Sequence, residues 1–424
     1  MLPSHLRSTL FFFTILTSLL FISGCEKNPG DNDPPATGDL DFTRYVALGN
    51  SLTAGVSNGA LYEAVQRNSF PNLIARVVEM TDFQQPLMAD SGFSFLPTEG
   101  RIVINPLTMN IRFSQAGTEA NANLDRAFNN LGIPAIRTHQ MYTATTSSEA
   151  GDNHFVDKIL RNHGRTVVEE ALTLDPTVMT LWIGNNDILE AAVQGMSGTA
   201  YTPPEVFAAQ LDTLLMRINA GTDVPLIAAN IPDITQVPYF TSIPPYLRHP
   251  ETHEKVYLYG MVDGTPQQLT EDDYVLFFAL PTFYALQDSL NHGITPGPEQ
   301  AISDTLVLDA TEAIEVRNVI MAYNQTIATA FTADKLDALV DIHTLFDDLR
   351  TAGYTFENGL TYTPDLLGFD NEGNIQLRLA TTLFNLDGLH PNSLGYAVIA
   401  NAFIEVMNAT FSASIPLVKL SNLQ

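Results

Sequence analysis

A serine, an aspartate and a histidine of this chain lie in two short segments whose residue types suit nucleophilic catalysis. Ser51 lies in "GNSLTAG", and Asp387 and His390 lie in "DGLHPN" far along the chain. A serine hydroxyl becomes an effective nucleophile when a base removes its proton, and histidine titrates in the useful range. A carboxylate on the other ring nitrogen fixes the tautomer and orientation of the imidazole. Ser51 is therefore a candidate nucleophile, His390 a candidate base and Asp387 its candidate orienting acid.

A third segment, "IGNND", adds an asparagine side chain that can stabilise negative charge. The intermediate of acyl transfer carries an oxyanion, and each well-placed backbone N–H or Asn amide lowers the barrier by roughly 3–4 kcal/mol. Asn186 is the candidate donor in this segment. A structural role is the alternative for each candidate, because Ser, Asn and Asp are ordinary turn residues and His390 stands beside Pro391 at a helix start.

The segments that hold these candidates adjoin predicted strands and helices. "RYVAL" (44–48) and "TVMTLWIG" (177–184) are continuous apolar runs, which are typical of strands covered on both faces. Further strands are predicted at 224–232 and 338–343, and helices at 69–80, 166–174, 203–221, 310–331 and 393–409. Alternating strands and helices predict a parallel sheet with helices on both faces. Ligands bind beyond the carboxyl ends of such strands, where Ser51 and Asn186 are expected.

Residues 81–129 and 235–305 interrupt this alternation. The second range is rich in Pro, Tyr and His, as in "YFTSIPPYLRHPETHEKVYLYG". It is interpreted as an inserted, lid-like segment, whose Tyr, Phe, Leu and Pro residues suit an apolar acyl site. The same composition fits an ordinary packed subdomain, and the sequence does not decide between the two.

Taken together, "GNSLTAG", "IGNND" and "DGLHPN" resemble blocks I, III and V of the GDSL/SGNH hydrolase family, in that order. The resemblance implies an α/β fold with three layers, α/β/α and flavodoxin-like, and hydrolysis of carboxylic esters. It makes Ser51 the nucleophile, with its own N–H in the oxyanion hole, and Asn186 a second oxyanion donor. It makes His390 the general base and Asp387 the acid that orients it. Nothing in the sequence requires a metal ion or an organic cofactor.

Two positions depart from the pattern of that family. The aspartate of "GDSL" is Asn50 here, a structural position at which an amide can still hydrogen-bond. Block II supplies a glycine N–H to the oxyanion hole and is matched best by "NNLGIPAIRT" (129–138), where the aligned position holds Ala135. An alanine N–H can donate, but a positive φ at this residue would be strained. Gly132 is the rival for this donor.

The N-terminus carries a targeting signal. The apolar run "LFFFTILTSLLFI" (10–22) is shorter than the roughly 20 residues of a membrane-spanning helix and is typical of a signal peptide. Ile22-Ser23-Gly24-Cys25 resembles a bacterial lipobox, so residues 1–24 are expected to be removed and Cys25 to be lipidated. A chance cysteine after an ordinary signal peptide is the alternative. Residues 25–40 are then a flexible tether, and 41–424 form the hydrolase domain.

Export and anchoring to a bacterial membrane follow from this interpretation. The acidic residues beside the cysteine favour the outer membrane, on its periplasmic or surface face. The sequence favours no particular oligomeric state.

The chain is strongly acidic, with 20 Lys and Arg against 47 Asp and Glu and a formal net charge of −27. Such a surface repels phosphate backbones, which argues against nucleic acid as a partner. The expected partners are a membrane, through the lipid anchor, and an ester of a lipid, a small molecule or an acetylated glycan. The alternatives are acyl transfer to a sugar or lipid, and non-catalytic binding of glycan or lipid on a degenerate hydrolase scaffold.

Overall fold

A five-stranded parallel sheet forms the centre of the domain. The computed structural model describes residues 35–96, 98–105, 111–369 and 375–424. The strands of this sheet are β1 (Tyr45–Gly49), β2 (Asn130–Gly132), β3 (Val178–Trp182), β4 (Leu226–Ala229) and β5 (Ala338–Val340). They are arranged in the order β5–β4–β3–β1–β2, and every neighbouring pair is parallel. This is the strand order of a flavodoxin-like, doubly wound sheet, so the predicted α/β fold class is confirmed.

Helices flank the sheet on both faces. In the described ranges the α-helices are α1 (Ser51–Ala54), α2 (Glu63–Gln66), α3 (Phe70–Val77), α4 (His154–Leu160), α5 (Val167–Leu172), α6 (Asn186–Ala192), α7 (Pro204–Gly221), α8 (Pro238–Thr241), α9 (Leu280–Asn291), α10 (Ala310–Thr332), α11 (Ile342–Ala352) and α12 (Ser393–Thr410).

Aromatic stacking holds each helical layer together. In one layer Phe70 of α3 stacks on Phe403 of α12, with ring centroids 4.6 Å apart. In the other layer Phe207 of α7 stacks on Tyr323 of α10, with centroids 4.1 Å apart. Every residue of β1, β3 and β4 is buried between the layers. Burial on both faces explains why these strands are continuous apolar runs rather than alternating ones.

The predicted strands and helices are observed within a few residues of their expected bounds. Strand β2 was not predicted. Its sequence, Asn130-Leu131-Gly132, contains two residue types that are depleted in strands, and only its pairing with β1 identifies it.

Short antiparallel pairs lie outside the central sheet, most of them in or beside the two ranges predicted as irregular. The pairs in the described residues are Ala60–Leu61 with Phe93–Ser94, Glu99–Ile104 with Ile111–Gln115, Tyr246–Arg248 with Lys255–Tyr257, Tyr259–Val262 with Thr265–Gln268, Tyr274–Val275 with Val307–Leu308, Tyr354–Thr355 with Thr361–Tyr362 and Leu367–Phe369 with Ile375–Leu377.

Residues 235–305 are a packed part of the domain. Phe240, Leu247, Leu258, Phe277 and Phe283 from this range are buried and belong to the same hydrophobic core as the sheet. The structure therefore favours the subdomain interpretation of this segment over the lid.

The N-terminal boundary of the domain lies before residue 41. Ala36 forms a β-bridge with Ser414, and the Asp39 N–H donates to the Phe411 carbonyl at 2.9 Å. Residues 35–40 are thus held by backbone hydrogen bonds, which corrects the predicted tether of 25–40. The predicted signal peptide and Cys25 lie outside the described residues. Among the described helices, none is both long enough and apolar enough to cross a membrane.

A reciprocal cap begins the long helix α10. Asp309 accepts the backbone N–H groups of Thr311 and Glu312, and the Glu312 carboxylate accepts the Asp309 N–H at 2.9 Å. Burial raises the pKa of Glu312 to about 7 against the opposing effect of that hydrogen bond, and the carboxylates of Asp309, Asp304 and Asp263 add to the rise.

This raised pKa predicts a pH dependence of folding stability. The pKa of Glu312 is raised in the folded chain from its ordinary value of 4.5. The carboxyl group therefore makes its full contribution to folding stability below pH 4.5, and this contribution is lost as the pH rises through about 7. Glu312→Gln keeps an acceptor for Asp309 but cannot ionise. We expect the variant to gain stability relative to the parent chain between about pH 5 and about pH 8. Urea unfolding at both pH values measures the gain, and identical pH dependence of the two chains would contradict it.

Candidate active site

The candidate residues lie where the winding of the sheet reverses. The chain places β2 on one side of β1 and β3 on its other side. The carboxyl ends of β1 and β3 therefore border the crevice in which ligands bind in folds of this kind. Ser51 is the first residue of α1, directly after β1, and Asn186 begins α6 after β3.

The turn that carries Ser51 is fixed by the two residues before it. Gly49 has a φ of +157°, and a Cβ there would collide with the backbone of β3. Asn50 caps α1, since its Oδ1 accepts the Leu52 N–H at 3.0 Å. Its Nδ2 donates to Asn185 Oδ1 at 2.9 Å. Asn50 thus joins the loop after β1 to the loop after β3.

Ser51, His390 and Asp387 form one hydrogen-bonded chain. Ser51 Oγ lies 2.9 Å from His390 Nε2, and His390 Nδ1 lies 2.9 Å from Asp387 Oδ2. A carboxylate can only accept, so Nδ1 carries the proton and Nε2 accepts from the serine hydroxyl. All three residues are buried, with 3–5% of their surface exposed.

Four N–H groups surround the Asp387 carboxylate. Oδ1 accepts the backbone N–H groups of Leu389 and His390, and Oδ2 accepts the Gly59 N–H together with the imidazole. Burial alone would raise the pKa of Asp387, but the charge of His390 and these hydrogen bonds outweigh it and lower the pKa. The carboxylate therefore stays ionised at neutral pH.

The turn that contains Asp387 and His390 is docked on residues 56–59. Ser57 Oγ donates to the Pro391 carbonyl at 3.0 Å and accepts from Asn385 Nδ2 at 2.7 Å. The Leu386 N–H donates to Asn58 Oδ1 at 2.9 Å. These contacts were not predicted from the sequence, although the polar "SNG" directly after "GNSLTAGV" was a signal for them.

The three candidate oxyanion donors differ in what their N–H groups contact. The Ser51 N–H is in the first turn of a helix and has no intrahelical acceptor. Asn186 donates one Nδ2 hydrogen to the Ile136 carbonyl at 2.9 Å, which orients the amide and leaves its second hydrogen available. Ala135 has φ of +59°, and its N–H has no acceptor among the described residues.

Gly132, the alternative to Ala135 as an oxyanion donor, has a different role. The Gly132 N–H already donates to Asn130 Oδ1 at 3.0 Å. A Cβ at Gly132 would collide with the backbone of Ala54 in α1. Gly132 therefore allows β2 and α1 to pack closely, and its N–H is occupied.

A buried aspartate of α6, Asp187, hydrogen-bonds to the loop after β2 that contains Ala135 and Thr138. Asp187 accepts the backbone N–H of Thr138 at 3.0 Å and the hydroxyls of Thr138 and Thr202, each at 2.8 Å. Burial raises the pKa of Asp187 despite these three hydrogen bonds. Asp187 and Asn186, adjacent in α6, thus hold the same loop at two points.

A small apolar cleft adjoins the serine. Its volume is about 30 Å³. Ser51, Asn186 and His390 lie on its wall with the apolar residues Leu52, Leu189, Pro232, Ile234, Val237, Phe346 and Leu389. Among the described residues of the range 235–305, Val237 is the one that lies on this wall.

A family model described as GDSL-like lipase/acylhydrolase matches residues 45–403. The chain belongs to the GDSL-like lipase/acylhydrolase family. Membership supports a hydrolase, with ester hydrolysis as its general reaction. No curated protein matches the chain.

Solved structures similar to this GDSL-like chain include two enzymes. One is an alpha/beta hydrolase from the metagenome of Lake Arreo in Spain, with 12% identity and a TM-score of 0.36. The other is a mutant of an acetyl-xylooligosaccharide esterase from a Geobacillus, with 10% identity and a TM-score of 0.37. Each comparison covers 87% of this chain and 96% of the other.

The structure brings together four of the residues that were assigned through resemblance to the GDSL-like family. Ser51, Asp387 and His390 are in hydrogen-bond contact, and Asn186 lies on the same cleft. Ala135 belongs to the loop that Asn186 holds, whereas the N–H of the rival Gly132 is used elsewhere.

The positive φ of Ala135 predicts a stabilising substitution toward the glycine that is usual in this GDSL-like family. A left-handed conformation costs an L-residue about 1–2 kcal/mol, which exceeds the entropic cost of glycine. We expect Ala135→Gly to raise the free energy of unfolding by about 0.5–1 kcal/mol. Urea denaturation measures the change.

The matched control is Ala209→Gly, at an exposed position of α7. This substitution should destabilise the chain by about 1 kcal/mol, because the residue is inside a regular helix. Equal losses in both variants would show that Ala135 is not strained.

Proposed function

We propose that this chain hydrolyses carboxylic esters with small acyl groups through an acyl-enzyme at Ser51. The observation that carries the proposal is the buried chain from Ser51 Oγ through the His390 ring to Asp387, with both distances 2.9 Å. A hydroxyl, an imidazole and a carboxylate connected in this order supply what base-assisted attack on a carbonyl requires.

In the first half-reaction, Ser51 Oγ bonds to the carbonyl carbon while its proton passes to His390 Nε2. Asp387 stays ionised and stabilises the imidazolium. When the tetrahedral intermediate collapses, the bond to the alcohol oxygen breaks and Nε2 gives that oxygen its proton. In the second half-reaction, water attacks the acyl carbon, His390 takes its proton, and Ser51 leaves with a proton from Nε2.

Three donors are proposed for the oxyanion. They are the backbone N–H groups of Ser51 and Ala135 and the second Nδ2 hydrogen of Asn186. The support is that the first two N–H groups have no acceptor within the part of the chain that the structure describes, and that the third is oriented by Ile136. Each such donor contributes about 10²–10³ in kcat.

The acyl group is proposed to occupy the cleft beside Ser51. A volume of about 30 Å³ compares with the roughly 10–15 Å³ that one water needs on the same kind of measure. An acetyl group suits this space, and a long fatty chain does not. The apolar side chains of Ile234, Val237 and Phe346 would contact the acyl methyl group.

We also propose that the chain is exported and anchored to a bacterial membrane through a lipid on Cys25. The lipobox-like Ile22-Ser23-Gly24-Cys25 supports this proposal. The hydrogen-bonded start of the domain at residues 35–40 would leave a short tether between the anchor and the catalytic domain.

An acyl-chain series tests the nucleophile and the acyl cleft together. We expect kcat/KM for p-nitrophenyl acetate to exceed that for p-nitrophenyl octanoate by at least about tenfold, since the longer chain cannot enter the cleft. Ser51→Ala should lower kcat by on the order of 10⁶-fold. Ser303→Ala, at an exposed serine, is the control and should be fully active.

The outcomes separate the alternatives. Equal turnover by the parent chain and Ser51→Ala would rule out the nucleophile, and faster hydrolysis of the octanoate would rule out the small acyl group. Folded parent chain that turns over no ester would favour the non-catalytic binding protein.

A substitution at Asp387 tests the role of the orienting carboxylate. Asp387→Asn presents an N–H to the imidazole and selects the tautomer in which Nε2 is protonated, so kcat should fall by about 10⁴-fold. The substitution also removes an acceptor from Gly59, which should cost about 1–3 kcal/mol of unfolding free energy. Asp365→Asn, at a surface ion pair with Arg350, is the control and should alter stability by less than about 1 kcal/mol. Unchanged kcat in Asp387→Asn would contradict the role.

A further inference from the structure

A second and much larger pocket is lined in part by Ala135, the proposed oxyanion donor. Its volume is about 440 Å³, within the range of small-molecule binding sites. Ala135 lies on its wall, and so does Glu190. Leu189, the residue before Glu190 on α6, lines the acyl cleft instead. The two spaces therefore border the same helix, and Ala135 lies on the wall of the larger one.

This placement assigns the two halves of an ester to different spaces. An ester whose carbonyl oxygen contacts the Ala135 N–H has one substituent on each side of the carbonyl carbon. The cleft of about 30 Å³ accommodates the smaller substituent. A larger alcohol substituent has room in the second pocket, whose wall contains Ala135.

The charges in this pocket disfavour an anionic alcohol. Arg137 forms an ion pair with Glu190 at 2.6 Å, so its charge is already compensated. Asp152 adds an exposed negative charge. Burial lowers the pKa of His139, which keeps that ring neutral at neutral pH. A phosphate or carboxylate on the alcohol would find no uncompensated permanent cation here.

The uncharged groups on the wall suit a polyhydroxyl molecule. Gln140 uses its Oε1 to accept the Arg137 N–H, and its amide hydrogens have no acceptor among the described residues. The exposed imidazole of His154 stands at the start of α4. Phe95, 44% exposed, presents an apolar ring that rests edge-on against Phe155, with centroids 5.2 Å apart. Amide and imidazole groups bind hydroxyls, and an aromatic face packs against the C–H face of a sugar ring.

We propose that this pocket binds the alcohol half of the substrate and that this alcohol is a neutral carbohydrate. The inference rests on the proposed function, because it takes Ser51 as the nucleophile and Ala135 as an oxyanion donor. It identifies the substrate class as sugar esters of a small carboxylic acid. Phe95 and His154 then determine specificity for the alcohol.

Two substrates that share an acetyl group test the pocket. Ethyl acetate has an alcohol too small to fill it, and methyl 6-O-acetyl-glucopyranoside carries a neutral sugar. We expect the ratio of kcat/KM for the sugar ester to that for ethyl acetate to fall at least fivefold in Phe95→Ala and in His154→Ala. Phe331→Ala, at a similarly exposed aromatic at the end of α10, should leave the ratio unchanged.

Each result is decisive. A ratio that is unchanged in both pocket variants overturns the proposal, as does preference of the parent chain for a 6-O-acetyl glucoside that also carries a phosphate. Hydrolysis of ethyl acetate without hydrolysis of the sugar ester overturns the pocket and leaves the proposed function intact. If the parent chain hydrolyses neither substrate and Ser51→Ala behaves identically, the proposed function itself fails.

Discussion

The docking of residues 56–59 against the turn at 385–391 is the constraint on which the site depends. The same Asp387 oxygen accepts the Gly59 N–H and the His390 imidazole, so one carboxylate both joins two distant chain segments and orients the ring. Tyr396 of α12 adds a hydrogen bond from its hydroxyl to the Val56 carbonyl at 2.6 Å. Closing so long a loop has an entropic cost, which the packing of the whole sheet and its helices must offset. The geometry at Ser51 is therefore a property of the complete domain rather than of a local motif.

Two buried carboxylates, Asp387 and Asp187, illustrate how this fold controls charge. Asp387 is surrounded by N–H donors and faces an imidazole that can become positive, so its pKa is lowered in spite of burial. Asp187 receives a backbone N–H and two hydroxyls but has no such partner in contact, so burial prevails and its pKa is raised. The first environment favours a charged group beside the imidazole, whereas the second fixes a loop. The difference lies in the charge of the neighbours rather than in the number of hydrogen bonds.

Much of this architecture could be predicted because the strands of a doubly wound sheet are buried on both faces. Strands such as β3 are uninterrupted apolar runs, and the polar residues directly after β1 and β3 mark the edge at which ligands bind. Strand β2 is not an apolar run. Asn130 and Gly132 make close contact with α1, and neither residue type is common in strands. The cleft wall was also beyond sequence reasoning, because Pro232 and Phe346 come from separate loops and helices that only the fold brings together. Asn50 was predicted to be structural, and its bonds to Leu52 and Asn185 show the pairing that an amide makes there.

Helix α6 stands between the two spaces, with Leu189 facing one and Glu190 the other. Separate compartments for the two halves of an ester permit ordered product release. In the proposed reaction, the alcohol can diffuse away while the acyl group stays fixed on the serine, and the vacated compartment would then admit the next nucleophile. In that reaction, competition between water and other hydroxyl compounds for this single compartment would decide which of them receives the acyl group.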